Sequence, residues 1–143
     1  MLVRLLYCSQ TAEPKREALL DDILAQSRRH NPSRGVTGLL CVAGDNFIQL
    51  LEGGRDEVCE LFNDIVRDMR HERVRLLSFD EITERKFGSW SMGQVDADKI
   101  NPALLLKYFT KAKLEPSTSP GRATLALLDD LVATGSIVSR GEV

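Results

Sequence analysis

Four polar side chains stand where the surrounding pattern calls for apolar ones, and together they could hold a flat heterocycle by its hydrogen-bonding edge. Tyr7 lies in the run Leu2-Val3-Arg4-Leu5-Leu6-Tyr7-Cys8, and Gln49 sits between Phe47 and Leu51 in the run Asn46 to Glu52. Ser27 and Asn31 continue a helical stripe that begins with Leu20 and Leu24. A phenol both donates and accepts through one O–H, whereas a primary amide carries one acceptor and one two-proton donor. Burying an amide without a partner costs about 2 kcal/mol or more. Gln49 therefore needs something to bond. Either Tyr7 and Gln49 satisfy each other, or they face a ring enclosed by Leu24, Leu39, Phe47 and Ile65, its carbonyl and nitrogen edge met by Asn31 and Gln49.

The elements that must position these groups follow from periodicity. The first run alternates Val3, Leu5 and Tyr7 against Arg4, Leu6 and Cys8, as a strand does. Pro14 suits the first turn of a helix whose stripe runs through Leu20, Leu24, Ser27 and Asn31 and stops before Pro32, so that Asn31 either caps the helix or faces a polar object. Val36 to Val42 and Asn46 to Glu52 read as a hairpin around Ala43-Gly44-Asp45-Asn46. Val58, Leu61, Phe62, Ile65 and Met69 predict a second helix over about 56–70, followed by Arg67, Asp68, Arg70 and His71 as a charged C-terminus. Val74 to Ile82 and a short strand Ser89 to Val95 complete the pattern, with Trp90, Met92 and Gln94 sharing a face. The order is that of an α+β, ferredoxin-like βαββαβ chain with an added fifth strand and two helices on one sheet face. A boundary near 98 separates this unit, residues 1–98, from a C-terminal helical extension, residues 99–143, whose helices Pro102 to Phe109 and Ala123 to Ala133 should pack on the open sheet face.

Composition excludes several classes of function. The chain has 143 residues, 43% of them hydrophobic and 28% charged, with 19 Lys and Arg against 21 Asp and Glu. That suits one folded domain and argues against a disordered chain or a basic nucleic-acid groove. The longest stretch free of charge is the ten residues Gly35 to Gly44, half of what a spanning helix needs, about 20. No membrane partner is expected, and the N-terminus lacks a secretory pattern, so a cytoplasmic place is expected. Cys8, Cys41 and Cys59 form no close pair, and His30 and His71 are distant, so neither a disulfide framework nor a metal site is expected. There is no P-loop and no Gly-x-Gly-x-x-Gly.

Five blocks in unbroken order closely resemble the BLUF domain, a blue-light sensor using FAD. They are Arg4-Leu5-Leu6-Tyr7-Cys8-Ser9, then Ser27 to Asn31 with Gly35-Val36-Thr37-Gly38-Leu39-Leu40, then Phe47 to Gly53, then Arg67 to His71, and last Phe87 to Met92. The resemblance runs from about residue 2 to 95 and is weak after about 100, where it is to short single-domain members. It implies non-covalent FAD between the two helices, with FMN or riboflavin able to fill the same ring site. Tyr7 would give an electron and a proton to the excited flavin, and Gln49 would bridge the Tyr7 hydroxyl and the flavin edge. Asn31 would hold the other part of that edge, Ser27 and His30 would line the ring, Arg70 would meet its O2 side, and Asp68 with His71 would lie near the ribityl chain. Trp90 and Met92 would be the switching pair, and the chain would be a sensor and not an enzyme. It would pass its signal through the fifth strand and C-terminal helices to a downstream protein partner, with a homodimer left open. Rival readings are an acylphosphatase-like hydrolase, a flavin-free dimerisation module, and a dark redox flavoenzyme. Colour separates the flavin-free readings from the others.

Overall fold

A computed structural model describes residues 1–11, 15–135 and 137, so the expected helical turn at Pro14 lies outside the described residues. Five strands, β1 (Leu2–Gln10), β2 (Thr37–Ala43), β3 (Asn46–Gly54), β4 (Glu72–Ile82) and β5 (Gly93–Asp96), form one sheet in the order β4-β1-β3-β2-β5. Its pairs are antiparallel except β2 with β5, which is parallel. The first four strands have the ferredoxin-like order, and β5 is the addition. Helices α1 (Lys15–Arg34) and α2 (Arg55–Arg67) lie on one face, and α3 (Pro102–Tyr108) and α4 (Gly121–Ala133) belong to the extension.

Both faces of the sheet are covered, which is why β1 and β3 read as near-continuous apolar runs. On the α1/α2 side Val3, Leu5, Tyr7, Leu40 and Leu51 pack with Leu24, Val58 and Met92. On the opposite side Leu6, Cys8, Leu39, Cys41, Ile48 and Leu50 pack with Leu105, Leu114, Leu127, Leu128 and Leu131 of the extension. The extension thus packs on the sheet face left open by α1 and α2, as expected. Cys8 and Cys41 are buried and Cys59 is half-buried, and burial pushes the Cys41 thiol up to about 12.

Three boundaries differ from the sequence reading, each for a local reason. Helix α1 continues through Pro32 and stops at Gly35, whose φ is +66°. There Gly35 N–H bonds the Pro32 carbonyl at 3.3 Å and Val36 N–H bonds the Asn31 carbonyl at 3.0 Å, the paired bonds of a Schellman motif. Asn31 is therefore inside the helix and not its cap. Helix α2 ends at Arg67, because the Asp68 carboxylate takes the Arg70 backbone N–H at 3.0 Å and turns the chain away. Met69, expected in the apolar stripe, is 95% exposed. The fifth strand is short because the chain before it is held elsewhere: the buried Glu52 carboxylate accepts from the N–H groups of Phe87 at 2.7 Å and Lys86 at 3.3 Å. Glu52 is balanced by Arg4 at 2.7 Å, whose guanidinium also lies over the Phe87 ring. A buried carboxylate needs such a full set of partners.

Candidate functional site

Tyr7 and Gln49 are direct partners in the β1–β3 register, so their side chains leave neighbouring strands on one face. Tyr7 is fully buried, and its hydroxyl donates to Gln49 Oε1. Burial, with smaller contributions from Asp68 and Cys8, pushes the phenol pKa well above its ordinary value, which keeps the proton on the hydroxyl in the ground state. Its ring leans on Phe62 of α2, centroids 5.5 Å apart. The other end of the buried Gln49 amide, Nε2, donates to Met92 Sδ at 3.5 Å. The amide is thus held between a donor and an acceptor.

Asn31 reaches from α1 to the loop that carries Met92, its Nδ2 donating to the Ser91 carbonyl at 2.8 Å. Gly38 N–H bonds the Trp90 carbonyl at 3.0 Å, so the loop is tied to the start of β2 as well. Met92 precedes β5 and packs with Tyr7 and Leu24, while Trp90 packs with Leu39 and Cys41 on the opposite side of the sheet. The expectation that Trp90 and Met92 share a face of one strand is corrected here. Strand alternation begins only at Gly93, and the tethered loop before it does not alternate.

The Asp68 turn aims two more predicted residues. His71 Nδ1 lies 2.7 Å from the buried Ser9 hydroxyl, and the His71 ring stands edge-on to Phe47, centroids 5.9 Å apart. Burial lowers the His71 pKa, against a raising effect of Asp68. Arg70 bonds Asp68 at 2.7 Å and Asp22 of α1 at 2.8 Å, tying the turn to the facing helix. Its hydrogen bonds hold both carboxylates below their usual range.

These parts surround a cleft of about 260 Å³ between α1 and α2, with Gln49 and Asn31 among its polar groups and Ile23, Leu61 and Ile65 as its apolar ones. Ser27, His30, Asp68, Arg70 and His71 line it too, so most residues singled out from the sequence meet at one place. Leu24 and Tyr7 pack together in the apolar layer on the same side, and Phe47 reaches the site through His71. Leu39 does not belong: it points to the extension side, and its neighbour Leu40 packs on the cleft side. Strand alternation fixes this, and counting from Gln49 through the Leu40↔Gln49 pairing would have shown it. The sequence reading missed Asp22, Ile23 and Gln26, one and two helical turns before Asn31 on a neighbouring stripe of α1.

Fold and site together define a sheet-and-two-helix module that presents amide groups and apolar walls to a cleft between α1 and α2. The family model described as sensors of blue light using FAD, BLUF, matches residues 2–93, and the chain belongs to that family of blue-light flavin sensors. Among solved structures it is similar to BlsA in its photo-activated state, with TM-score 0.81 and 31% identity over 92% of this chain and 95% of that one. It is similar to the BLUF protein BlrB in its dark state, with TM-score 0.77 and 32% identity over 94% of this chain and 96% of that one. It is 33% identical over 116 residues to photoactivated adenylate cyclase subunit alpha of Euglena gracilis, covering 78% of this chain and 11% of that protein. The chain thus spans about a tenth of that relative's length.

Proposed function

We propose that the cleft between α1 and α2 holds the flavin ring and that Tyr7 and Gln49 convert an absorbed photon into a changed hydrogen-bond pattern. The observation that carries this is the chain Tyr7 hydroxyl, Gln49 amide, Met92 thioether, with the amide donor and acceptor at opposite ends. A cleft of about 260 Å³ suits a ring system and leaves any nucleotide tail outside, so the ring site accepts FAD, our choice, as well as FMN or riboflavin. When bound, the flavin would supply blue-light absorption and a transient acceptor for an electron and a proton, both of which return to Tyr7 once the amide has turned. Tyr7 is the donor: it is dry, neutral and already hydrogen-bonded along the line of proton travel. Gln49 Oε1 takes the hydroxyl proton's bond in the dark. Turning or tautomerising the amide reverses donor and acceptor without moving a charge.

Reversal would also bring an acceptor against Met92 Sδ, which itself can only accept weakly. Met92 is one residue before β5, which continues into the 3-10 turn Ala97–Lys99 and then α3, capped by Asn101. This route, with Trp90 on the far side of the sheet, carries the change to the C-terminal helices and a downstream protein partner. Residues 1–98 form the sensor and residues 99–143 the relay, and the chain works as a sensor and not as an enzyme. No helix among the described residues is long and apolar enough to cross a membrane.

The test is the absorption spectrum in the dark and under blue light. A red shift of the flavin bands is expected. Tyr7→Phe and Gln49→Leu should keep the flavin and lose the shift, and an unaltered photocycle in either variant overturns the assignment.

A further inference from the structure

The β1–β4 ladder is interrupted between Cys8 and Gln10. Cys8 pairs with Arg75 and Gln10 with Glu72, so Ser9 faces two residues of β4, Arg73 and Val74. Arg73 takes the left-handed turn of this bulge at a φ of +52°, and no other described residue except glycine has a positive φ. Glycine is the usual choice at such a turn, because a β-carbon is strained there. A long cationic side chain kept at a strained position points to a use beyond the turn itself.

Arg73 and Arg75 line one cavity of about 310 Å³, together with Asn46 at the start of β3 and Ser117 in the turn before α4. Cys8 and Leu77 give it apolar walls. Elsewhere Arg4, Arg16, Arg55, Arg67 and Arg70 each pair with a carboxylate. These two do not: among the described residues the Arg73 side chain makes no hydrogen bond, and that of Arg75 donates only to the Val74 carbonyl at 3.0 Å. The acidic groups nearby leave them free. Glu72, opposite Gln10, does not line the cavity and pairs with neither arginine, while Asp45 and Glu115 are engaged by Arg16 and Lys113. Asn46 Oδ1 accepts from Gln10 Nε2 at 3.4 Å, which leaves Asn46 Nδ2 and the Ser117 hydroxyl as unused donors. Burial raises the Cys8 pKa and Arg75 opposes the rise, so the cationic field reaches the apolar wall.

We propose that Arg73 and Arg75 form a second ligand site that binds the phosphate group of a small phosphate monoester. The cavity shares no lining residue with the cleft between α1 and α2. Two guanidinium forks match the terminal oxygens of a phosphate, and Asn46 and Ser117 add neutral donors. A volume of about 310 Å³ lies at the lower end of the range for organic ligands, roughly 300–1,000 Å³, so there is room for more than a bare ion. The body of the ester lies against Leu77 and Cys8. Because β4, β3 and the turn before α4 all contribute, a bound phosphate ties the extension to the sheet at this end of the molecule.

Isothermal titration calorimetry of the full chain with flavin bound, at constant ionic strength, tests this with phenyl phosphate and inorganic phosphate as probes. Phenyl phosphate is expected to bind, and inorganic phosphate to bind more weakly for want of an apolar body. Arg73→Gln and Arg75→Gln should each weaken binding of phenyl phosphate by about tenfold. Arg73→Gly separates recognition from folding: it relieves the left-handed backbone, so the thermal midpoint should hold or rise while binding falls as in Arg73→Gln. Arg55→Gln removes a cation paired with Glu81 toward the other end of β4 and should leave binding unchanged. No binding of phenyl phosphate, equal binding of the two probes, arginine variants that bind as the parent does, or an equal loss in Arg55→Gln each overturns the proposal.

Discussion

Gln49 Nε2 and Met92 Sδ meet at 3.5 Å although the residues are 43 positions apart in the chain. The contact joins the centre of the sheet to the loop before β5. It predicts that Met92→Leu, which keeps a similar volume but removes the acceptor, leaves a buried N–H without its partner at a cost of about 1–3 kcal/mol. Chemical denaturation should show that loss. If the amide turns as proposed, only its dark arrangement uses the thioether, and recovery after illumination should also slow. Unchanged stability and recovery would refute the contact.

The Schellman end of α1 and the Asn31 side chain separate stability from signalling. Gly35→Ala places a β-carbon at a φ of +66° and should cost about 1 kcal/mol, with the absorption spectrum unchanged. Asn31→Ala removes the bond to the Ser91 carbonyl and an amide of the cleft, so it should alter the flavin spectrum and its light response. Spectra and denaturation curves of both variants distinguish the roles.

His71 gives a pH dependence of defined sign. Its folded pKa lies below the ordinary 6.5, chiefly through burial, so the unfolded chain binds the proton more readily. Stability is therefore present in full above about 6.5 and falls as pH drops through that value toward the folded pKa. Protonation would add positive charge beside Arg70. Thermal midpoints measured between neutral and mildly acidic pH should decline in the parent, and less steeply in His71→Gln.

Leu127 of α4 is fully buried against the sheet face that carries Leu6, Ile48 and Leu50. Leu127→Ala should cost about 2–5 kcal/mol. The extension is part of the core, so deleting it strips the sheet of its cover. Substitutions at the Lys107, Tyr108 and Asp130 cluster, which links α3 to α4 with Lys107 exposed and Tyr108 and Asp130 half-buried, are the gentler probe of signal output. Tyr108→Phe should leave the spectral shift intact and change stability little, and an altered flavin shift would count against the proposed direction of relay.

Much of this arrangement was legible because strand and helix periods are local. Tyr7 and Gln49 fell on one face by alternation alone, and the order of strands made them neighbours. The errors cluster where a side chain from a distant strand takes over the backbone. Trp90 and Met92 looked like alternating strand residues, but Glu52 holds Lys86 and Phe87 by their N–H groups and prevents the ladder from starting there. Leu39 was assigned to the wrong face by one residue of register. Asn31-Pro32 looked like a stop, whereas proline in the last turn sacrifices little of the ladder, and Gly35 supplies the left-handed turn that ends the helix. Arg70 bridging to Asp22 had no local signature, since the partners are 48 residues apart.

The Glu52 anchorage fixes the Phe87 end of the segment from Phe87 to Gly93. Its fulcrum is clamped by a buried carboxylate, and its working tip is the thioether beside the amide. A push at that tip has no slack to vanish into on the Phe87 side. Under the proposed relay, a motion at that tip would leave toward Gly93, the end that the buried carboxylate does not hold.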